Sequence, residues 1–137
     1  VLPDWFDGKI KPVPQNNSQA TYSKMINKGD GEIYWRSSTA KEIWLKARAF
    51  YPWPGCYTRW RGKLLRILKA KLLDFQEAPG KVVEISPEEG FRKKIIGVGT
   101  KEGVLGLELI QYEGGRVMAL EEFVRGHRDF AGSVLPD

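Results

Sequence analysis

From Cys56 to Leu72 apolar and polar residues alternate, and this period of two is the clearest structural signal in the chain. Thr58 and Trp60 share one face while Arg59 and Arg61 share the other, as in a strand with one buried side. Arg61-Gly62-Lys63 predicts a tight reversal. Beyond it Leu65 and Ile67 point one way, whereas Leu68, Ala70 and Leu72 have the opposite parity. A bulge near Ile67 and Leu68 reconciles the two sets, turning all five apolar residues inward and Arg66, Lys69 and Lys71 outward. Further strands are predicted over residues 81–85, 94–98 and 104–112.

A helical period appears in two places. Ile43, Ala47 and Phe50 recur at intervals of four and three. Thr39 and Glu42 stand at capping-box spacing before them, with Ser37 and Ser38 as alternative caps. The pattern predicts a helix over 39–50, stopped by Pro52, and Pro52-Trp53-Pro54-Gly55 as a rigid aromatic corner. A last helix is expected over 120–125, ending at Gly126. Ser86-Pro87-Glu88-Glu89 has the cap, N1 proline and N3 glutamate of a short helical turn. Gly29-Asp30-Gly31-Glu32 reads as a turn, and Ile33-Tyr34-Trp35 is too short to classify.

These elements make a mainly β fold with flanking helices. Five strands with a long curved second strand predict an OB-like five-stranded Greek-key barrel, closed because an open sheet this short leaves edges exposed. An SH3-like barrel is the competitor. Trp60, Leu65, Ile67, Leu68, Leu72, Val98 and Leu107 are the expected core. Over Val1 to Asn17, prolines at alternate positions remove backbone donors and favour extended chain. Residues 1–20 are therefore expected to be an interdomain linker left from an absent N-terminal domain, and residues 21–137 the domain itself.

Composition narrows the chemistry. The chain has 137 residues, one cysteine and one histidine. Neither a disulfide nor a four-ligand zinc site is available without carboxylate help. No apolar run approaches the ~20 residues of a membrane span and no leader opens the chain, so it reads as soluble, cytoplasmic and without a membrane partner. The net charge is +5, and its distribution matters more than its size. Residues 41–72 hold nine cations and one acid, whereas residues 73–137 hold eight cations and twelve acids. A basic segment beside an acidic one makes a directional field whose natural partner is a polyanion.

The basic segment also carries the best candidate site. Arg59, Arg61, Lys63, Arg66, Lys69 and Lys71 lie where an OB barrel binds oligonucleotides, across the second and third strands, with Tyr57 and Trp53 near enough to stack bases. Other candidates reduce to structure. Gly97 to Gly103 has the wrong spacing for a phosphate loop and precedes a strand, so it reads as a hairpin turn. Cys56 has no base in its own segment and reads as a small barrel-edge residue. His127 reads as a solvated residue past a helix end, and Glu88-Glu89 and Glu121-Glu122 as first-turn carboxylates. No acid–base, nucleophile or metal constellation remains.

The run Arg48-Ala49-Phe50-Tyr51-Pro52-Trp53-Pro54-Gly55-Cys56-Tyr57-Thr58 is specific. With Ala20-Thr21-Tyr22-Ser23-Lys24, Glu32-Ile33-Tyr34-Trp35, Gly62-Lys63-Leu64-Leu65-Arg66-Ile67 and Gly99-Thr100-Lys101-Glu102-Gly103-Val104-Leu105, it resembles the C-terminal domain of the methionyl-tRNA formyltransferase family. The resemblance runs from Leu2 through Arg125-Gly126. Tyr34 stands where the family often has an acidic residue and Tyr51 where it often has asparagine.

What the resemblance implies is an OB-like barrel that follows a Rossmann-type catalytic domain and helps hold the acceptor arm of initiator methionyl-tRNA. The parent enzyme would transfer a formyl group from 10-formyltetrahydrofolate to the methionyl amine in translation initiation. The family's catalytic asparagine, histidine and aspartate, and its Ser-Leu-Leu-Pro motif, have no match here, so this chain alone implies no cofactor and no catalytic residue, and no formyl transfer is expected of it. Two alternatives stay open: the second domain of a related enzyme acting on a nucleotide sugar or on formyltetrahydrofolate, and a free-standing OB oligonucleotide-binding module.

Overall fold

Pro3 and Asp4 sit in the first turn of a short helix, α1 (Leu2–Phe6). A proline has no donor to lose there and a carboxylate favours the positive end of the dipole. This stretch was expected to be extended throughout, so α1 is a local correction. A computed structural model describes residues 2–86 and 93–136. Residues 2–29 are exposed throughout and add nothing to the core. The helical turn expected at Ser86 to Glu89 runs into positions outside the described residues.

Thr39 then opens the principal helix, α2 (Ala40–Ala49). Its hydroxyl accepts from the Glu42 N–H at 3.2 Å, and the Glu42 carboxylate accepts from the Thr39 N–H at 2.7 Å. Two donors orphaned at the helix start thereby find partners. The Thr39 N–H donating to the carboxylate first, and the Thr39 hydroxyl second, hold the Glu42 carboxyl below its ordinary 4.5. Its folded value is depressed, so the stabilisation is present at neutral pH and lost as pH falls through that value. Thr39→Ala is expected to cost about 1 kcal/mol at neutral pH, less in acid, where a protonated Glu42 has already weakened the box. Urea melts at both pH values check this, and an equal loss at both would refute the coupling.

Ile43 and Ala47 bury the inner face of α2, and Trp44 Nε1 donates to the Ala70 carbonyl at 3.1 Å, anchoring the helix to the sheet. The sheet consists of β1 (Cys56–Trp60), β2 (Lys63–Leu73), β3 (Val82–Ile85), β4 (Ile95–Gly99), β5 (Val104–Tyr112) and β6 (Val117–Ala119). All pairings are antiparallel in the order β1-β2-β5-β4-β3, with β6 also on β5. The β1–β2 reversal places Arg61 at φ 52° and Gly62 at φ 70°, the left-handed pair that matches strand twist in a two-residue hairpin. The five expected strands are present within a residue of their expected bounds. β6 is the addition, too short at three residues to show a period, and it runs directly into α3 (Leu120–Gly126).

The barrel is not closed. Among the described residues no hydrogen-bonded ladder joins β1 to β3. Irregular segments cover those edges instead. Ile33 N–H donates to the Tyr57 carbonyl beside β1, while beside β3 the Val82 N–H donates to the Ser133 carbonyl and the Val82 carbonyl accepts from the Gly132 N–H. With their edge groups satisfied, the outer strands need not meet. The expected closed five-stranded barrel is thus an open six-stranded sheet, still mainly β with flanking helices.

The inferred bulge is real and double. Ile67 pairs with Ile110, Lys69 with Leu109 and Ala70 with Leu107, so Leu68 on β2 and Glu108 on β5 are each passed over. Leu65, Ile67, Val98 and Leu107 are buried in the main core with Trp35, Trp60, Phe123 and Phe130, and Leu68 is half-buried. Leu72 is a correction: it is 44% exposed, because the main core ends there. Burial passes to the outer face, where Leu73, Ile85, Ile95 and Val104 form a second core with Phe75 and Val83. Gly97 and Gly106 pair beneath it. A methyl on Gly97 would lie 2.5 Å from Val104 Cγ1, and one on Gly106 would lie 2.9 Å from Leu73 Cδ1. The paired glycines are the trough that lets those two side chains fold across the sheet.

Candidate nucleic-acid interface

Cross-strand register decides which cations share a surface. Tyr57 pairs with Arg66, Arg66 with Gln111, and Arg59 with Leu64, on the face opposite buried Thr58 and Leu65. The bulge then returns Lys69 and Lys71 to that same outer face, opposite Leu109 and Gly106. Arg59, Arg66, Lys69 and Lys71 therefore form one row. Lys63 lies in register with Trp60 on the other face, its ammonium 5.9 Å from the Tyr112 ring centroid. Arg61 sits at the hairpin tip over the Trp60 ring at 4.7 Å and pairs with Asp129. The structure thus divides the six sequence candidates, four in the row and two at the hairpin end.

Within the row, the groups differ. Arg59 is exposed. Arg66 is half-buried: its two terminal nitrogens donate to Gln111 Oε1 and to the Pro52 carbonyl, each at 3.4 Å. A methyl on Gly55 would lie 2.9 Å from the Arg66 guanidinium, and Gly55 has φ +76°, so glycine is required where the aromatic corner wraps Arg66. Lys69 is 3.1 Å from Glu108, an exposed pair that leaves the ammonium within reach of a stronger anion. Burial first, then the neighbouring Glu32, pushes the Tyr57 hydroxyl above its ordinary value, keeping it a neutral donor.

Sequence reasoning missed the far bank of this row. β4 and β5 pair only from Gly97 to Gly99 against Val104 to Gly106, and on the other side of that short ladder an open cleft of about 460 Å³ separates them. Lys69 and Lys71 line one side, Lys93 and Lys94 another, with Glu108 and Glu121 between. Lys94 pairs with Glu84. The doublet Lys93-Lys94 was visible in the chain, but only strand order brings it beside Lys69 and Lys71.

The remaining candidates settle into structural places. Cys56 is buried and its thiol is pushed up to about 11 by that burial, so at neutral pH it stays protonated and poorly nucleophilic. His127 is a correction. Rather than being solvated, it is half-buried with its ring stacked on Phe123 at 4.3 Å and Nδ1 3.1 Å from the Phe123 carbonyl oxygen. Gly97 and Gly99 lie in β4, and residues 100–103 turn it into β5, with the Thr100 hydroxyl donating to the Gly103 carbonyl across the turn. Glu121 and Glu122 lie in the first turn of α3. No group of three or more His, Cys, Asp or Glu among the described residues is placed to hold a metal ion, and no helix there is long and apolar enough to cross a membrane.

Residues 25–128 match the family described as formyl transferase, C-terminal domain. The methionyl-tRNA formyltransferase of Bacillus pumilus is 37% identical over 98% of this chain and 41% of its own length. That of Dictyoglomus turgidum is 38% identical over 93% of this chain and 40% of its own. The chain therefore spans about two fifths of the length of these curated relatives. Among solved structures, HypX from Aquifex aeolicus, in complex with tetrahydrofolic acid, superposes with a TM-score of 0.60 over 90% of this chain and 21% of its own, at 17% identity, a likeness of fold.

Proposed function

The chain belongs to the formyl transferase C-terminal domain family, and on that premise we propose that it is the tRNA-holding domain of a methionyl-tRNA formyltransferase. The observation that carries this reading is the outer-face row of Arg59, Arg66, Lys69 and Lys71, continued across the cleft by Lys93 and Lys94. A row of cations on a curved sheet can neutralise several phosphates at once. Neither a nucleotide sugar nor formyltetrahydrofolate needs so extended a surface. In this proposal residues 1–20 are the interdomain linker, residues 21–137 hold the acceptor arm of initiator methionyl-tRNA, and a Rossmann-type domain in the relatives' remaining length carries the chemistry, in the cytoplasm where translation starts.

The formyl donor of that chemistry is 10-formyltetrahydrofolate, which supplies the one-carbon group. The described residues do not fit it. The cleft between β4 and β5 and the one beside the start of α2 are both open to the surface, the first mixing lysines with Ile95, Ile96, Leu107 and Leu109, and neither encloses a slot for a flat pterin ring. We therefore assign the donor site to the part of the relatives' length that this chain does not span.

The test is a titration of the chain with labelled initiator methionyl-tRNA over a range of salt concentrations. Three to five phosphate contacts give a log–log slope of roughly −2 to −4. Phosphate contacts position RNA without reading bases, so an elongator tRNA is expected to bind almost equally well. Salt-independent binding, or none at low salt, would overturn the proposal.

A further inference from the structure

Trp53 is the most exposed of the five tryptophans, at 62%, and Tyr51 beside it is 64% exposed. Among the described residues neither ring has a hydrogen bond, a cation or another ring as partner. Trp35 and Trp60 by contrast lie in the main core, and Trp44 is tied to the Ala70 carbonyl. Two large rings left in water on a surface mark a contact site rather than a packing one.

The corner that presents these rings is held in place. Gly55 N–H donates to the Phe50 carbonyl at 2.9 Å and closes the loop. Arg66 grips it from below, bonded to the Pro52 carbonyl on one side of Trp53 and pressed against Gly55 on the other. Arg66 is in register with Tyr57, and Arg59 follows two residues along the same face. The platform is thus continuous with the cation row, and an aromatic side chain with few rotatable bonds loses little freedom when something lies on it. The carboxylate facing Tyr57 is Glu32, whose Oε2 is 3.5 Å from the Tyr34 hydroxyl, so cations outnumber acids around the corner. Flat rings beside guanidinium groups and a row of cations match a polyanion that carries flat bases.

Deepening the proposed function and resting on it, we propose that Tyr51 and Trp53 form a stacking platform for an unpaired base of the RNA whose phosphates the outer-face row holds. Every base has a π face, so the platform accepts any unpaired nucleotide and contributes a salt-insensitive share of affinity that duplex regions cannot use.

The experiment compares two variants of the chain, Tyr51→Ala with Trp53→Ala, and Arg59→Ala with Lys69→Ala and Lys71→Ala, on a short labelled oligouridine and a short labelled RNA duplex. The aromatic variant is expected to bind oligouridine about 5- to 100-fold more weakly, with the salt slope and the duplex affinity unchanged, and Trp53→Phe is expected to retain most of the binding. Its melting temperature is expected to match wild type, since both rings are exposed. The charge variant is expected to lose affinity and slope on both probes. An aromatic variant that binds oligouridine like wild type, while the charge variant fails, would overturn the platform and leave the row standing. Equal losses on duplex and oligouridine would show a general contact and also overturn it. A charge variant with undiminished binding would overturn the proposed function itself.

Discussion

The variant Arg59→Ala, Lys69→Ala, Lys71→Ala is expected to bind tRNA on the order of 100-fold more weakly than the wild-type chain at low salt, and to lose about 2 to 3 units of log–log salt slope. Most of the salt dependence expected of the chain would go with them, the remainder resting on Arg66, Lys93 and Lys94. The three side chains share the outer face because the double irregularity at Leu68 and Glu108 brings Lys69 and Lys71 back to the side of Arg59. Arg66 is left in place because it also grips the Pro52 to Gly55 corner. Lys69 gives a control of opposite sign. Its exposed pair with Glu108 contributes at most about 1 kcal/mol to stability, so Glu108→Gln leaves the fold intact and frees the ammonium. That substitution is expected to raise RNA affinity by about 2- to 5-fold. Parallel salt plots for wild type and the triple variant, or weaker binding by Glu108→Gln, would sink the row as a phosphate site.

Trp60→Ala is expected to remove about 3–5 kcal/mol of folding stability. The indole is fully buried, with Tyr112, Phe123, His127 and Phe130 around it at centroid distances of 5.3 to 5.6 Å, three of the four edge-on. Edge-to-face contacts add to the area they bury. Phe123 and Phe130 come from α3 and the segment after it, so Trp60 is also what holds the C-terminal part of the chain against the β1–β2 hairpin. A domain of this kind is stable by about 5–15 kcal/mol in total, and the variant is expected to be largely unfolded at moderate urea. Arg61 loses the ring beneath its guanidinium at the same time. A urea midpoint shifted by the equivalent of less than about 1 kcal/mol, with unchanged denaturant slope, would contradict this account of the core.

Local rules acting over a few residues were legible in the chain. The Thr39–Glu42 box, the apolar face of Ile43 and Ala47, the Arg61-Gly62 reversal and the two-residue alternation each depend on neighbours within a turn or a hairpin. They located α2, the hairpin and every strand long enough to show a period. The change of parity between Ile67 and Leu68 even required the bulge, and with it the outward placement of Arg66, Lys69 and Lys71. The family resemblance carried by the Arg48 to Thr58 run named the same domain that the family match identifies.

What tertiary structure decided is where segments far apart in the chain meet. Leu73 and Val104 found burial on the outer face only because Gly97 and Gly106 pair beneath them, and Leu72 lost burial because the main core ends at its position. Satisfaction of the β1 and β3 edges by Ile33, Gly132 and Ser133 left the sheet open, an outcome no strand's own sequence encodes. Phe123 and Trp60 drew His127 out of solvent. The parting of β4 and β5 beyond Gly97 and Gly106 placed Lys93 and Lys94 beside Lys69 and Lys71. Alternation and caps are set by bonds between near neighbours, whereas edges, second cores and clefts arise from the register of distant strands, and so the proposed binding surface is half written in the chain and half made by its folding.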